Sequence, residues 1–320
     1  MHDLISIIVT SYNHAEYLEQ RIESLLAQTY KNLEIIVVDD CSSDRSIRVL
    51  DKYLMDERIR IVALDANQGY AYASNLGVSL SHGDYIMFAE CDDFSESGQV
   101  EILHEVLSRN TKVGVVYSKS NMVGSDGRKW GDDFRYRETA FRELCFRDTL
   151  IPRDRMQRFF LKSCVIPNMS AAMIRKVYFN EVGGLSQSYR ACADWDFWCR
   201  IAKHCDFYYI ATQLNNFRSH ASTVRETVGI TSQLLEMYRL LYDAYRKTEL
   251  NRKERCKFKI NTGFIWASYI PSSLTNWLKS FFPVWMGSLR YDPFTVIYLM
   301  IAIAQILFIY TTRFIIKKQY

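Results

Sequence analysis

With 320 residues, 48% of them hydrophobic and 14% aromatic, the chain can build a substantial core, as one large domain with an appendage or as two modest domains. A formal charge of +4 is too small to argue for a nucleic-acid partner. The eight cysteines include no Cys-x-x-Cys pair, so neither a zinc ribbon nor a disulfide framework is indicated, and free thiols suit a reducing compartment.

The first element follows Met1-His2-Asp3 directly, without a signal peptide, so the expectation is that this part stays in the cytoplasm. Residues 4–10, 33–38, 59–64, 85–89 and 113–117 are short apolar runs rich in Val and Ile, the pattern of strands buried on both faces. Helical stripes lie between them. Leu18, Ile22, Leu25 and Leu26 share one face, with Asn13 as N-cap. Ile47, Leu50 and Leu54 follow Asp44, itself an N-cap by pattern, and Val100, Leu103, Val106 and Leu107 mark a third helix. Alternating strands and helices imply an α/β fold, Rossmann-like, with a mainly parallel sheet and right-handed crossovers.

From 118 to 163 the pattern loosens. Gly124, Gly127 and Gly131 punctuate a polar stretch that reads as loops and short helices of the kind that contact substrate. Order returns at 169–178, in a helix over 194–204, in a strand over 207–211 and in a long amphipathic helix over 233–249. Cys192, Cys199, His204 and Cys205 lie close together but in no standard zinc spacing, so buried thiols are the plainer reading.

The tail differs in character. Residues 246–259 hold seven bases (Arg246, Lys247, Arg252, Lys253, Arg255, Lys257, Lys259) against Glu249 and Glu254. An aromatic stretch over 264–286 is interrupted by Pro271 and Pro283, and 295–316 is almost wholly apolar before Lys317-Lys318. Roughly 20 apolar residues span a bilayer. With its basic and Trp-bearing flanks (Trp277, Trp285), the tail predicts association with the cytoplasmic face of the cell membrane. Gln305 and Arg313 weaken a full span, and a buried helix or a homo-oligomer interface is the alternative. The expected organisation is an α/β catalytic domain over 1–223, a helical basic and aromatic region over 224–290, and a membrane-associated or interface helix over 291–320.

Two acidic clusters carry the chemistry. Asp92-Asp93 closes the fourth apolar run at the carboxyl edge of the sheet, where open α/β folds bind their ligands. Such oxygens suit Mg²⁺ or Mn²⁺, and an ion there can hold a diphosphate. Asp194-Trp195-Asp196 opens a helix much later in the chain. An ion holder and a base are the minimum apparatus for moving a sugar off a nucleotide. No Gly-x-Gly-x-x-Gly follows the first strand, which excludes a Rossmann dinucleotide site.

Taken in order, a set of motifs resembles the inverting family 2 glycosyltransferases over residues 4–223. They are Ile7-Ile8-Val9-Thr10-Ser11-Tyr12-Asn13, Val37-Val38-Asp39-Asp40-Cys41-Ser42-Ser43-Asp44, Asn67-Gln68-Gly69 and Asn75-Leu76-Gly77, then Glu90-Cys91-Asp92-Asp93, Gly183-Gly184-Leu185, Asp194-Trp195-Asp196-Phe197-Trp198 and Arg218-Ser219-His220. The resemblance implies a GT-A fold and a nucleotide-sugar donor, UDP-linked. It implies a saccharide or lipid-linked acceptor in cell-surface polysaccharide synthesis, and metal-dependent single displacement with inversion. By the same resemblance Thr10, Tyr12, Asp40, Asn67 and Asp92 bind the nucleotide, and Asp93, Asp92 and His220 hold Mg²⁺ or Mn²⁺. Arg218 would meet the diphosphate and Asp194 would be the general base. The roles are physically sensible: a carboxylate can accept the uracil N–H, an aromatic ring can cover the base, and general-base assistance contributes ~10²–10⁴ in rate.

Four positions depart from the family pattern. Cys41 stands where Gly is usual, Ser74 where Arg often precedes the Asn, Glu90 where Asp begins the acidic motif, and Ala193 where Glu precedes the base. A nucleotidyltransferase is the first rival, but it would show a Gly-rich loop with a basic residue after the first strand, and Ser11-Tyr12-Asn13-His14 does not. A non-catalytic membrane scaffold that keeps the fold is the second; intact Asp92, Asp93 and Asp194 argue against it.

Overall fold

The computed structural model describes residues 3–220, 228–269 and 274–318. It divides into two compact units, Met1–Thr223 and Val224–Tyr320.

In the first unit, β1 (Ile5–Ser11), β2 (Leu33–Asp39), β3 (Ile59–Ala63) and β4 (Tyr85–Glu90) pair in parallel in the order β3-β2-β1-β4. Side chains on both faces of β1, β2 and β4 are buried, which is why their sequences lack polar alternation. Four helices accompany them: α1 (Ala15–Leu26), α2 (Ser46–Leu50), α3 (Tyr70–Ser79) and α4 (Gln99–Arg109). Leu18, Ile22 and Leu25 of α1 and Val100, Leu103 and Leu107 of α4 join Ile7 and Val9 in one core. Successive strand residues face opposite ways, so Ile8 meets α3 instead. The approach there is close: a Cβ on Gly77 would lie 2.4 Å from Ile8 Cγ2.

The rest of the sheet is mixed, not mainly parallel as the alternation suggested. From β4 it continues through β9 (Ala172–Arg175), β6 (Val113–Val123), β10 (Asp206–Arg218) and β5 (Phe94–Ser95). β9 runs antiparallel to both β4 and β6, and β5 antiparallel to β10, while β6 and β10 are parallel. β7 (Lys129–Asp132) and β8 (Thr149–Ile151) add antiparallel pairs to β6 and β10.

The stretch 118–163 is therefore more ordered than its sequence indicated. It completes β6 and contains β7, β8, α5 (Thr139–Leu144) and α6 (Arg153–Phe160). The reason is chemical. The late residues of β6 and β10 are polar yet buried, and they satisfy one another: Asn121 Nδ2 donates to Asn216 Oδ1 at 3.0 Å. A strand lined with paired amides presents no apolar run, so its extension past 117 and, in β10, past 211 is invisible to a hydrophobicity reading. Two further helices, α7 (Lys176–Glu181) and α8 (Ala193–Ile201), flank this half.

Asn13 does not cap α1. His14 holds the N-cap position without a side-chain capping bond, while Asn13 adopts φ 56° and accepts from the N–H groups of Ser43 (2.8 Å) and Asp44 (3.3 Å). Asp44 does the capping instead, and twice. One oxygen accepts from Ala15 N–H and the other from Ser46 N–H, each at 2.9 Å. The starts of α1 and α2 are thereby fastened together at the sheet edge.

The second unit shows, among the described residues, helices Ile230–Arg246, Arg252–Ala267, Leu274–Ser288 and Thr295–Lys318. An Asn251–Glu254 capping box starts the second, and buried Tyr238, Tyr242, Phe258 and Trp266 form its aromatic core with the first. The third runs through Pro283, which the sequence pattern read as an interruption. Lys259 pairs with the buried Asp292 at 2.7 Å, so it is withdrawn from the basic stretch. No helix of the described residues is long and apolar enough to cross a membrane. The side chains from 307 onward, and with them most of the apolar run, lie outside the described residues, as do Pro271 and the Trp277 side chain. Cys192, Cys199 and Cys205 are buried free thiols, and His204 pairs with Glu181 at 2.7 Å.

Candidate active site

Parallel pairing sets Ser11 opposite Asp39 and Thr10 opposite Glu90, so the segments leaving β1, β2 and β4 lie side by side at one edge. Asp39 closes the turn after β2: its oxygens accept from the Ser42 N–H (2.8 Å) and Oγ–H (2.7 Å). Within that turn Cys41 has φ 64°, the left-handed region where a residue without Cβ is at ease. Cys41 keeps the turn that the resembled family builds with Gly. Asp40 accepts from the N–H groups of Gln68 (2.7 Å) and Gly69 (2.8 Å), and Asn67 Nδ2 donates to its carbonyl at 3.2 Å. Asp40 and Asn67 thus tie the β2 loop to the start of α3. An ionised carboxylate has about four acceptor sites, so Asp40 retains capacity for a ligand N–H. Thr10 is half-buried beside it, and Tyr12, 47% exposed, offers an open ring face.

The two adjacent aspartates have different surroundings. Asp92 Oδ2 lies 2.8 Å from His220 Nε2. Burial opposes its ionisation, but the His220 hydrogen bond and the charges of His14 and His220 outweigh that and hold the carboxyl below its usual range. Asp92, His14 and His220 offer ligand atoms that all lie within 4.8 Å of one another. Among the described residues this is the one group of three such side chains able to surround an ion. Its imidazole and carboxylate donors fit a divalent metal.

Asp93 is not part of that group, contrary to its expected role as a metal ligand. Asn168 Nδ2 donates to its Oδ2 at 2.5 Å, the Arg218 backbone N–H to its Oδ1 at 2.9 Å, and the Arg21 guanidinium lies 3.9 Å away. The carboxylate is sealed in the protein. Burial, reinforced by the charge of Asp92, pushes it up to about 6, against Arg21.

Arg218 is also corrected. It ends β10 in place of a loop, and its guanidinium is spent on the protein: Nε donates to Asp92 O (2.6 Å), Nη1 to Ser125 O (2.9 Å) and Gly124 O (3.2 Å), and Nη2 to Gln20 Oε1 (2.6 Å). It also lies over the Tyr17 ring at 4.5 Å. Four of its five donors are thus engaged, which makes it a brace behind Asp92.

Asp194 stands in the first turn of α8, half-buried, with Trp195 N–H donating to its Oδ1 at 2.7 Å. Trp195 is itself held by its Nε1–H to Phe160 O at 2.9 Å. The field of Asp194 reaches the carboxyl edge. Burial, then Asp93, Asp92 and Asp194, push the Glu90 carboxyl well above its usual range, and burial with Glu90 and Asp194 does the same to the Tyr70 phenol. Asp196 is bound to Arg200 at 2.8 Å.

The position of α8 is fixed through the Gly183-Gly184-Leu185 turn. Asn75 of α3 clamps Leu185, donating to its carbonyl (2.8 Å) and accepting from its N–H (2.9 Å). Gly184, at φ 71°, could not carry a side chain, since a Cβ would sit 2.5 Å from Asn75 Oδ1. Arg200 of α8 then donates to the carbonyls of Val182 (2.6 Å) and Gly184 (2.8 Å). A continuous set of hydrogen bonds therefore runs from the Asp40–Asn67 loops through α3 to the helix bearing Asp194.

Four contributors escaped the sequence reading: His14, Arg21, Asn168 and Ser170, whose Oγ accepts the Glu90 N–H at 2.9 Å. Arg21 had a signal. It falls on the same helical stripe as Leu18, Ile22 and Leu25, and a charge on a buried stripe demands a partner. Asn168 had none.

The sequence model described as Glycosyl transferase family 2 matches residues 6–183, and the chain belongs to that family. The chain is 33% identical over 187 residues to the glycosyltransferase GlyG of Streptococcus pneumoniae serotype 4, a match covering 57% of this chain and 60% of GlyG. It is 38% identical over 99 residues to the putative teichuronic acid biosynthesis glycosyltransferase TuaG of Bacillus subtilis, covering 31% of this chain and 39% of TuaG. The chain thus spans less than two thirds of these two relatives. In fold it is similar to S. aureus TarS, residues 1–349, solved in complex with UDP-GlcNAc. That likeness has a TM-score of 0.65 at 15% identity and covers 89% of this chain and 81% of TarS. The first unit is accordingly a GT-A glycosyltransferase domain.

Proposed function

We propose that this glycosyltransferase moves a sugar from a UDP-linked donor to a saccharide or lipid-linked acceptor, with inversion and with the help of a divalent ion, during assembly of a cell-surface polymer. The observation that carries the reading is the meeting, at one sheet edge, of the Asp40–Asn67 loops, the Asp92 cluster and the field of Asp194. The UDP-GlcNAc in TarS supports the donor class, and the teichuronic acid role printed for TuaG supports the polymer.

In this reading Tyr12 covers the base, and Asp40 accepts its ring N–H. A divalent ion held by Asp92 with its neighbouring imidazoles would offset the charge of the leaving diphosphate. Asp194, its carboxylate steadied by Trp195 N–H, takes the proton from the acceptor hydroxyl as that oxygen attacks the anomeric carbon. The membrane assignment is part of the same proposal. Exposed Leu278, Phe282, Met286, Ile297 and Met300, with exposed Arg252, Lys253, Arg255 and Lys257, support docking of the second unit at the cytoplasmic membrane face.

The test is a thermal-shift panel of nucleotide sugars on the purified chain, with and without Mn²⁺. A UDP-sugar should raise Tm, and more so with the ion. A panel in which only non-uridine nucleotides stabilise the protein would overturn the donor assignment.

A further inference from the structure

His14 occupies the N-cap position of α1 but does none of the work of a cap, because Asp44 accepts the Ala15 N–H. Its ring is placed for something else. Nδ1 lies 3.3 Å from Cys91 Sγ, the ring meets the His220 ring edge-on at 5.2 Å between centroids, and a ring nitrogen joins a carboxylate oxygen of Asp92 and a ring nitrogen of His220 within 4.8 Å.

We propose that His14 is a third metal-ligating residue, and that it makes the site selective for Mn²⁺ and similar first-row ions over Mg²⁺. This rests on the metal-assisted reading above. The argument is the donor set. Mg²⁺ binds oxygen and keeps its waters, whereas imidazole nitrogen suits transition ions and their affinities rise along that row. One carboxylate with one imidazole leaves the choice open; a second imidazole tips it.

The experiment uses the full chain without nucleotide, titrated with Mn²⁺ alone and Mg²⁺ alone, with free Mn²⁺ counted by electron paramagnetic resonance. Parent, His14→Ala, His14→Asp and Asp92→Asn are compared, each checked for a parent-like melt. His14→Ala should weaken Mn²⁺ by on the order of 10–100-fold or more and Mg²⁺ much less. His14→Asp, which exchanges a nitrogen donor for oxygen, should keep Mn²⁺ binding while narrowing the Mn²⁺-to-Mg²⁺ preference. That second variant decides the matter if His14→Ala fails to fold. If Asp92→Asn loses Mn²⁺ while both His14 variants keep the parent's affinity and preference, the metal reading stands and the role of His14 is overturned. If Asp92→Asn binds Mn²⁺ as the parent does, the underlying metal reading has failed.

Discussion

The carboxyl edge of the sheet has an open face and a sealed one, and the peptide bond between Asp92 and Asp93 separates them. On the open face Asp92, His14 and His220 bring ligand atoms within 4.8 Å of one another, with His220 Nε2 at 2.8 Å from Asp92 Oδ2. On the sealed face Asp93, Arg21, Asn168 and Arg218 satisfy one another inside the protein. Both faces are polar, and each holds one of the two adjacent aspartates that the sequence motifs singled out. Their chemistry differs because spare bonding capacity differs. A carboxylate whose oxygens are filled by protein donors holds a backbone in place; one that faces imidazoles can hold something else.

Substitutions should therefore divide by face. The largest effect belongs to Asp194→Asn, a nearly isosteric change at the proposed base. Transfer should fall ~10²–10⁴ with donor affinity kept, because assistance by a base is felt only in the transition state. Initial rates beside calorimetric donor binding check this. A variant that retains its rate would move the base elsewhere.

Arg21→Met attacks the sealed face, leaving the buried Asp93 without its cation. Breaking such a pair costs about 3–5 kcal/mol of stability, measured by urea unfolding, and little donor affinity in the fraction that stays folded. Loss of donor affinity without loss of stability would place Arg21 on the open face instead.

The sealed face also predicts a pH dependence. Asp93 is raised in the folded protein from 3.8 to about 6. A carboxyl raised by folding adds stability below its unfolded value, and that addition is lost as pH rises through its folded value. The stability of the parent relative to Asp93→Asn should thus fall on going from 3.8 to about 6, by on the order of 1–3 kcal/mol. A difference that stays flat or grows over that window contradicts the assignment.

The smallest effect tests the frame beneath both faces. Gly77→Ala would set a methyl 2.4 Å from Ile8 Cγ2. The resulting shift of α3 against β1 should cost about 1–3 kcal/mol, read as a lowered Tm.

How much of this was legible follows from the same contrast. The apolar runs of β1, β2 and β4 announced themselves because hydrophobic burial writes a continuous signal, and they fixed the edge where Thr10, Asp40 and Asp92 lie. The extensions of β6 and β10 were illegible because Asn121, Asn215 and Asn216 are buried through pairing, and pairing leaves no pattern along one strand. The motifs named Asp93 and Arg218. They could not say which bonds those side chains would exhaust, since the partners Asn168, Ser125 and Gln20 come from distant segments. His14 was hidden for a plainer reason: the cap reading went to its neighbour Asn13, and only the structure shows Asp44 accepting the Ala15 N–H and the His14 ring turned toward Asp92 and His220.

One titration goes to the heart of the division between the faces: UDP binding, measured by calorimetry with and without Mn²⁺, for the parent and for Asp92→Asn. If Asp92 is the open carboxylate that links ion and nucleotide, Mn²⁺ will strengthen UDP binding to the parent and give no such gain in the variant. An equal Mn²⁺-dependent gain in both proteins would contradict it and return the ion to another set of ligands.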